Sequence, residues 1–85
     1  MEVQTLFEQA VADSKSLTKK PGNASLLQLY ALYKQATQGD VNIPMPENML
    51  DFVAKAKYNA WDEIKGITRD GAMQQYINLV NSLKA

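Results

Sequence analysis

Two phenols, an ammonium and a hydroxyl lie within eight residues of one another in the stretch Tyr30, Tyr33, Lys34 and Thr37. On a helix Tyr30 and Lys34 are four residues apart and share a face, with Tyr33 and Thr37 alongside. Such a strip suits a phosphate next to a flat ring, because ammonium and hydroxyl groups donate to phosphate oxygens while a phenol offers an aromatic face. The plainer reading of the same spacing is an amphipathic core helix with half-buried tyrosines and a solvated lysine, and periodicity alone favours it. Lys55 and Lys57 cannot both join one small site, since two residues on a helix are separated by about 200° around the axis.

The chain has 85 residues, enough for one small core but not for a second lobe or a deep enclosed site. It contains neither cysteine nor histidine, which excludes disulfides, thiolate or imidazole metal ligands, and the common Ser-His and Cys-His nucleophile pairs. Nine basic and nine acidic residues cancel, so nothing points to wholesale attraction to nucleic acid or an anionic membrane. An anion would have to be met by a local cluster. The N-terminal stretch Met1 to Phe7 lacks a basic segment followed by an apolar run, residue 2 is Glu rather than the glycine of a myristoylation signal, and no stretch approaches a membrane span. The expectation is a soluble, cytoplasmic protein without stable membrane insertion.

Four helical segments must position these side chains. Apolar residues from Val3 to Leu17, including Leu6, Phe7, Ala10 and Val11, step by three and four and predict a first helix that fades in the connector Thr18-Lys19-Lys20-Pro21-Gly22-Asn23. Asn23 is the expected cap of a second helix running from about Ala24 to Gln38, with Gly39 closing it. Asp40 to Asn48, with Pro44 and Pro46, reads as an ordered loop. Met49, Leu50, Phe52, Ala56, Ala60 and Ile64 support a third helix, with Asp51 near its start, Lys65 near its end and Gly66 stopping it. Thr68 is the expected cap of a fourth, whose stripe is Ala72, Met73, Tyr76, Ile77, Val80 and Leu83. The fold class is therefore all-α, a four-helix bundle without a strand pattern or repeat, with Phe7, Leu17, Leu27, Phe52, Trp61, Ile77, Val80 and Leu83 expected in its core.

Taken together, Tyr30-x-x-Tyr33-Lys34-Gln35-Ala36-Thr37-x-Gly39-Asp40-x-Asn42 and Met49-Leu50-Asp51-Phe52-x-x-Lys55-Ala56-Lys57-x-x-Ala60-Trp61 closely resemble the acyl-CoA-binding protein family. Phe7, Leu17, Lys20-Pro21, Ile64-Lys65-Gly66, Ala72-Met73, Tyr76-Ile77 and Val80 extend the resemblance over nearly the whole chain, in the family's order. The resemblance implies an up-down-down-up four-helix bundle, with residues 1–85 forming a single acyl-CoA-binding domain. It implies non-covalent binding of long-chain fatty acyl-CoA esters for buffering and delivery, with no catalysis and no cofactor beyond the ligand itself. It assigns Lys34 and Lys57 to the ribose 3′-phosphate, Tyr30 as a hydrogen-bond donor there, Tyr33 as the adenine platform, and Lys15 and Tyr76 to the head group and acyl region. Val53 stands where many family members carry a lysine. The expected partner is long-chain acyl-CoA bound by a monomer, with a ligand-induced dimer as the alternative.

Two readings from other classes compete. A helical protein-interaction module would present Ile43-Pro44-Met45-Pro46 to a partner. A thioesterase would need a base or nucleophile, and only isolated carboxylates, hydroxyls and lysines are on offer.

Overall fold

The computed structural model describes residues 2–84, in which four helices carry all the regular structure: α1 (Val3–Ser14), α2 (Asn23–Gln38), α3 (Phe52–Glu63) and α4 (Arg69–Leu83). Their ends are fixed by local hydrogen bonding. Asp51 Oδ1 accepts from the Ala54 amide at 3.0 Å and Thr68 Oγ1 from the Gly71 amide at 3.0 Å, so α3 and α4 each begin with one otherwise orphaned N–H satisfied. Gly39 and Gly66, at φ 81° and 93°, turn the chain out of α2 and past α3 in a region where an L side chain is strained.

Three boundaries differ from the sequence reading. α1 stops at Ser14 rather than continuing to Leu17, because the Lys15 and Ser16 amides tighten onto the Ala12 and Asp13 carbonyls in a final turn. Asn23 is not the cap of α2 but its first residue; Gly22 holds the cap position with extended backbone. α3 begins at Phe52 rather than Met49, because Asn48 Oδ1 accepts from the Leu50 amide at 3.0 Å, making a side-chain turn that competes with helix.

α2 and α4 are the central pair, with α1 packed against α4 and α3 against α2. Gln4 and Met73 line one hollow while Asp13 pairs with Lys84 at the other end, so α1 and α4 run parallel. Thr37 lies near Arg69 whereas Leu27 lies near Leu79, so α2 opposes α4. Asn23 faces Phe52 and Gly39 meets Trp61, so α3 runs with α2. The arrangement is up-down-down-up.

The core joins Phe7 and Ala10 of α1, Leu29, Leu32 and Ala36 of α2, and Ala72, Tyr76, Ile77 and Val80 of α4. Alanines at three of these positions let the helices approach closely. Trp61, 1% exposed, fills the space between α3 and the end of α2, and its Nε1 donates to the Gly39 carbonyl at 2.9 Å. Phe7, Trp61, Ile77 and Val80 are thus buried as expected, and Leu83 packs against the core while partly exposed. Leu17 and Leu27 are only half-buried. Phe52 is not a core residue at all: it is the first residue of α3 and 73% exposed.

Gln35 is completely buried. Its Nε2 donates to Asp40 Oδ1 and to the Ile67 carbonyl, both at 2.8 Å, and the Gly66 amide donates to the same Asp40 oxygen at 2.7 Å. One side chain therefore ties the end of α2, the loop after it and the α3–α4 turn. The Gly66 N–H, followed by Gln35, holds the Asp40 carboxyl below the usual carboxylate range.

Candidate functional site

The helical spacing of Tyr30 and Lys34 places both on one half-buried face of α2, and the parallel run of α3 brings Lys57 to the same place. Lys34 Nζ lies 5.8 Å and Lys57 Nζ 5.3 Å from the centre of the Tyr30 ring. Two ammonium groups thus approach one phenol, and among the described residues neither forms an ion pair. An anion lodged between them would relieve their mutual repulsion, and the Tyr30 hydroxyl would be a further donor to it. Lys34 Nζ is also 5.8 Å from the Trp61 ring centre, so the buried indole backs the site.

Beside Tyr30 opens a groove of about 370 Å³ lined by Lys15, Leu26, Tyr30, Tyr33 and Tyr76, with Val11, Ser14, Pro21 and Leu29 completing its walls. Lys15 enters from the residue just after α1, Tyr30 and Tyr33 from α2, and Tyr76 from α4. Tyr33 and Tyr76 are held by Phe7: the Phe7 and Tyr76 rings meet edge-on at 5.1 Å, and Phe7 and Tyr33 lie 6.0 Å apart. Tyr76 is buried and its hydroxyl donates to Ser14 Oγ at 3.1 Å, while Ser14 in turn donates to the Val11 carbonyl at 2.7 Å. Tyr76 accordingly offers the groove a wall rather than a free donor. All six side chains singled out from the sequence thus gather around Tyr30 and its groove.

Thr37 departs from that strip. Its hydroxyl donates to the Tyr33 carbonyl at 2.8 Å, and the residue lines a separate hollow of about 560 Å³ with Gln4, Phe7, Tyr33, Arg69 and Met73. Tyr33 borders both hollows, so its ring is reachable from either side.

A third hollow, about 360 Å³ and strongly apolar, lies between the starts of α2 and α3, lined by Asn23, Leu26, Leu27, Phe52, Val53, Ala56 and Lys57. Leu26 is shared with the tyrosine groove, and Lys57 with the Tyr30 cluster. The cationic, aromatic site and the apolar hollow therefore adjoin, with Leu26 as their common wall. Sequence reasoning placed Phe52 in the core; its i, i+4 relation to Ala56 and Ala60 gives the correct direction toward α2, but no third helix closes over it. Among the described residues no group of three carboxylate side chains could hold a metal ion, and no helix is long and apolar enough to cross a membrane.

A sequence model of the family described as acyl CoA binding protein matches residues 4–80. The chain is 48% identical over 79 residues to the acyl-CoA-binding protein of Dictyostelium discoideum, covering 93% of this chain and 93% of that protein. It is 47% identical over 79 residues to part of enoyl-CoA delta isomerase 2 of Rattus norvegicus, but spans only 20% of that protein's length. The crystal structure of Oryza sativa Acyl-CoA-Binding Protein 2 superposes with a TM-score of 0.90 at 34% identity, over 96% of this chain and 90% of that one. With its helix order, its Tyr30 cluster and these likenesses agreeing, the chain belongs to the acyl CoA binding protein family.

Proposed function

We propose that this protein binds long-chain fatty acyl-CoA esters non-covalently and serves as their carrier and reservoir. The observation that carries the reading is the adjacency of a polar and an apolar site: the ammonium groups of Lys34 and Lys57 at Tyr30, and beside them, across Leu26, the hollow between α2 and α3. In this reading Lys34, Lys57 and the Tyr30 hydroxyl hold the ribose 3′-phosphate, whose nearly two negative charges call for several donors. Tyr33 gives adenine its aromatic face, Lys15 adds a cation at the rim of the head-group groove, and Tyr76 walls that groove toward the acyl end. The acyl tail lies along Leu26, Leu27, Phe52, Val53 and Ala56, which explains why Phe52 stands outside the core.

No chemistry is assigned to the chain, and no cofactor. Its similarity to the isomerase spans a fifth of that enzyme's length. Native mass spectrometry tests the reading: one intact palmitoyl-CoA retained per monomer is expected. A mass for free CoA and palmitate would make the protein a thioesterase, and no retained ester would overturn the carrier role. Two chains on one ester would show the dimeric alternative.

A further inference from the structure

Ser14 closes α1 and lines the tyrosine groove, where its hydroxyl fixes the direction of a proton. Its Oγ lies 2.7 Å from the Val11 carbonyl oxygen and 3.1 Å from the Tyr76 hydroxyl. A carbonyl oxygen only accepts, so the single hydroxyl proton of Ser14 goes to Val11. Ser14 then has only lone pairs to offer Tyr76, and Tyr76 must donate to it. The phenol proton is thereby committed to Ser14, and what Tyr76 Oη has left for a ligand is lone pairs.

This arrangement is held in place. Tyr76 is buried, its ring meets Phe7 edge-on at 5.1 Å, and hydrogen bonds in such surroundings reinforce one another along a chain. The other polar side chains of the groove lack a fixed sense of this kind. Lys15 can only donate. Among the described residues the Tyr30 and Tyr33 hydroxyls form no hydrogen bond, so their protons turn to suit a ligand. Tyr76 therefore gives the groove a hydrogen-bond acceptor whose direction is set from behind, by Ser14 and the Val11 carbonyl.

We propose that Ser14, acting through Tyr76, makes the head-group groove select a base that carries an amino group over one that carries a carbonyl in the same place. The proposal rests on the acyl-CoA reading, in which adenine lies on Tyr33. The Tyr33 and Tyr76 ring centres are 6.5 Å apart and inclined at 57°, so a base stacked on Tyr33 has Tyr76 beside it. The exocyclic N–H of adenine donates to Tyr76 Oη. A carbonyl in that position sets acceptor against acceptor, and two oxygens are left without a proton between them. Ser14 is a positioning residue: it orients the Tyr76 hydroxyl, and Tyr76 meets the base.

The test is calorimetric titration of the full chain with palmitoyl-CoA and with its deaminated analogue, in which hypoxanthine replaces adenine. Wild-type protein is expected to bind the adenine ester roughly tenfold more tightly, or better. Ser14→Ala takes away the acceptor that holds the Tyr76 proton, which is then free to turn into the groove and meet a carbonyl. The ratio of the two dissociation constants should fall to less than about threefold. Tyr76→Phe removes the acceptor itself and should erase the preference as well. A loss of packing weakens both esters alike, so the ratio reads the hydrogen bond and not the stability of the groove. An undiminished ratio in Ser14→Ala would overturn the proposal. Tight wild-type binding of both esters with equal affinity would overturn it too and leave the acyl-CoA reading standing. No heat from palmitoyl-CoA would refute that reading and the proposal with it.

Discussion

At Tyr30 two ammonium groups meet one ring, and the proposed ligand chemistry rests on that meeting. Replacing Lys34 by Ala leaves a phosphate with one ammonium fewer; a hydrogen bond to a charged group contributes about 1.5–3 kcal/mol, so palmitoyl-CoA should bind roughly ten- to a hundredfold more weakly, read by calorimetry. An unchanged dissociation constant would remove Lys34 from the site. The pairing of Tyr30 with Lys34 was legible in the sequence because both lie on one helix, four residues apart. Lys57 was not legible from periodicity, since its approach requires α3 to run parallel to α2; only the family resemblance pointed to it. Gln35 had no assigned role, because a glutamine acquires one only when Asp40 and Ile67, five and 32 residues away, close around it.

The helices are positioned by their ends and by two buried polar ties, one at Gln35 and one at Trp61. Trp61→Ala empties the space between α3 and the end of α2 and orphans the Gly39 carbonyl, and should cost about 3–5 kcal/mol of stability in denaturant titrations. Asp40 has a folded-state pKa depressed by the Gly66 amide and Gln35. Its contribution is therefore fully present above the ordinary carboxylate range and is lost as pH falls through the lower folded value. Asp40→Asn keeps an acceptor oxygen without the titration, so its melting temperature should fall less steeply below the carboxylate range than that of wild type. Parallel acid profiles would deny Asp40 this role. Asp13, depressed by Lys84 and Gln9, supplies a second part of the acid dependence that Asp40→Asn leaves in place. Thr68, Gly39 and Gly66 announced helix ends correctly, since each acts within a few residues of itself, whereas Asp51, read only as a favourable charge near the start of α3, is its cap. The end of α1 was misread because periodicity does not register the tightened last turn at Lys15 and Ser16, and the position of Phe52 because it depends on which neighbour covers the helix, a property of the assembly.

The four helices lie in the spatial order α1, α4, α2, α3 rather than around a closed barrel, and the extents of 41 × 28 × 15 Å describe a shallow body. That shallowness leaves the tyrosine groove and the apolar hollow open on its surface, so an 85-residue chain can place a charged head group and an apolar tail side by side. Each methylene taken out of water contributes about 0.8 kcal/mol, so a tail of about 16 carbons supplies ~10 kcal/mol before the cost of ordering it. Neither half of the ligand should suffice alone. Calorimetric titration with CoA, palmitate and a series of acyl-CoA esters of increasing length addresses both halves together. The expected result is weak binding of CoA and palmitate and an affinity for the esters that climbs with chain length; palmitate binding as tightly as palmitoyl-CoA, or no heat from the ester, would contradict the assignment of one continuous site.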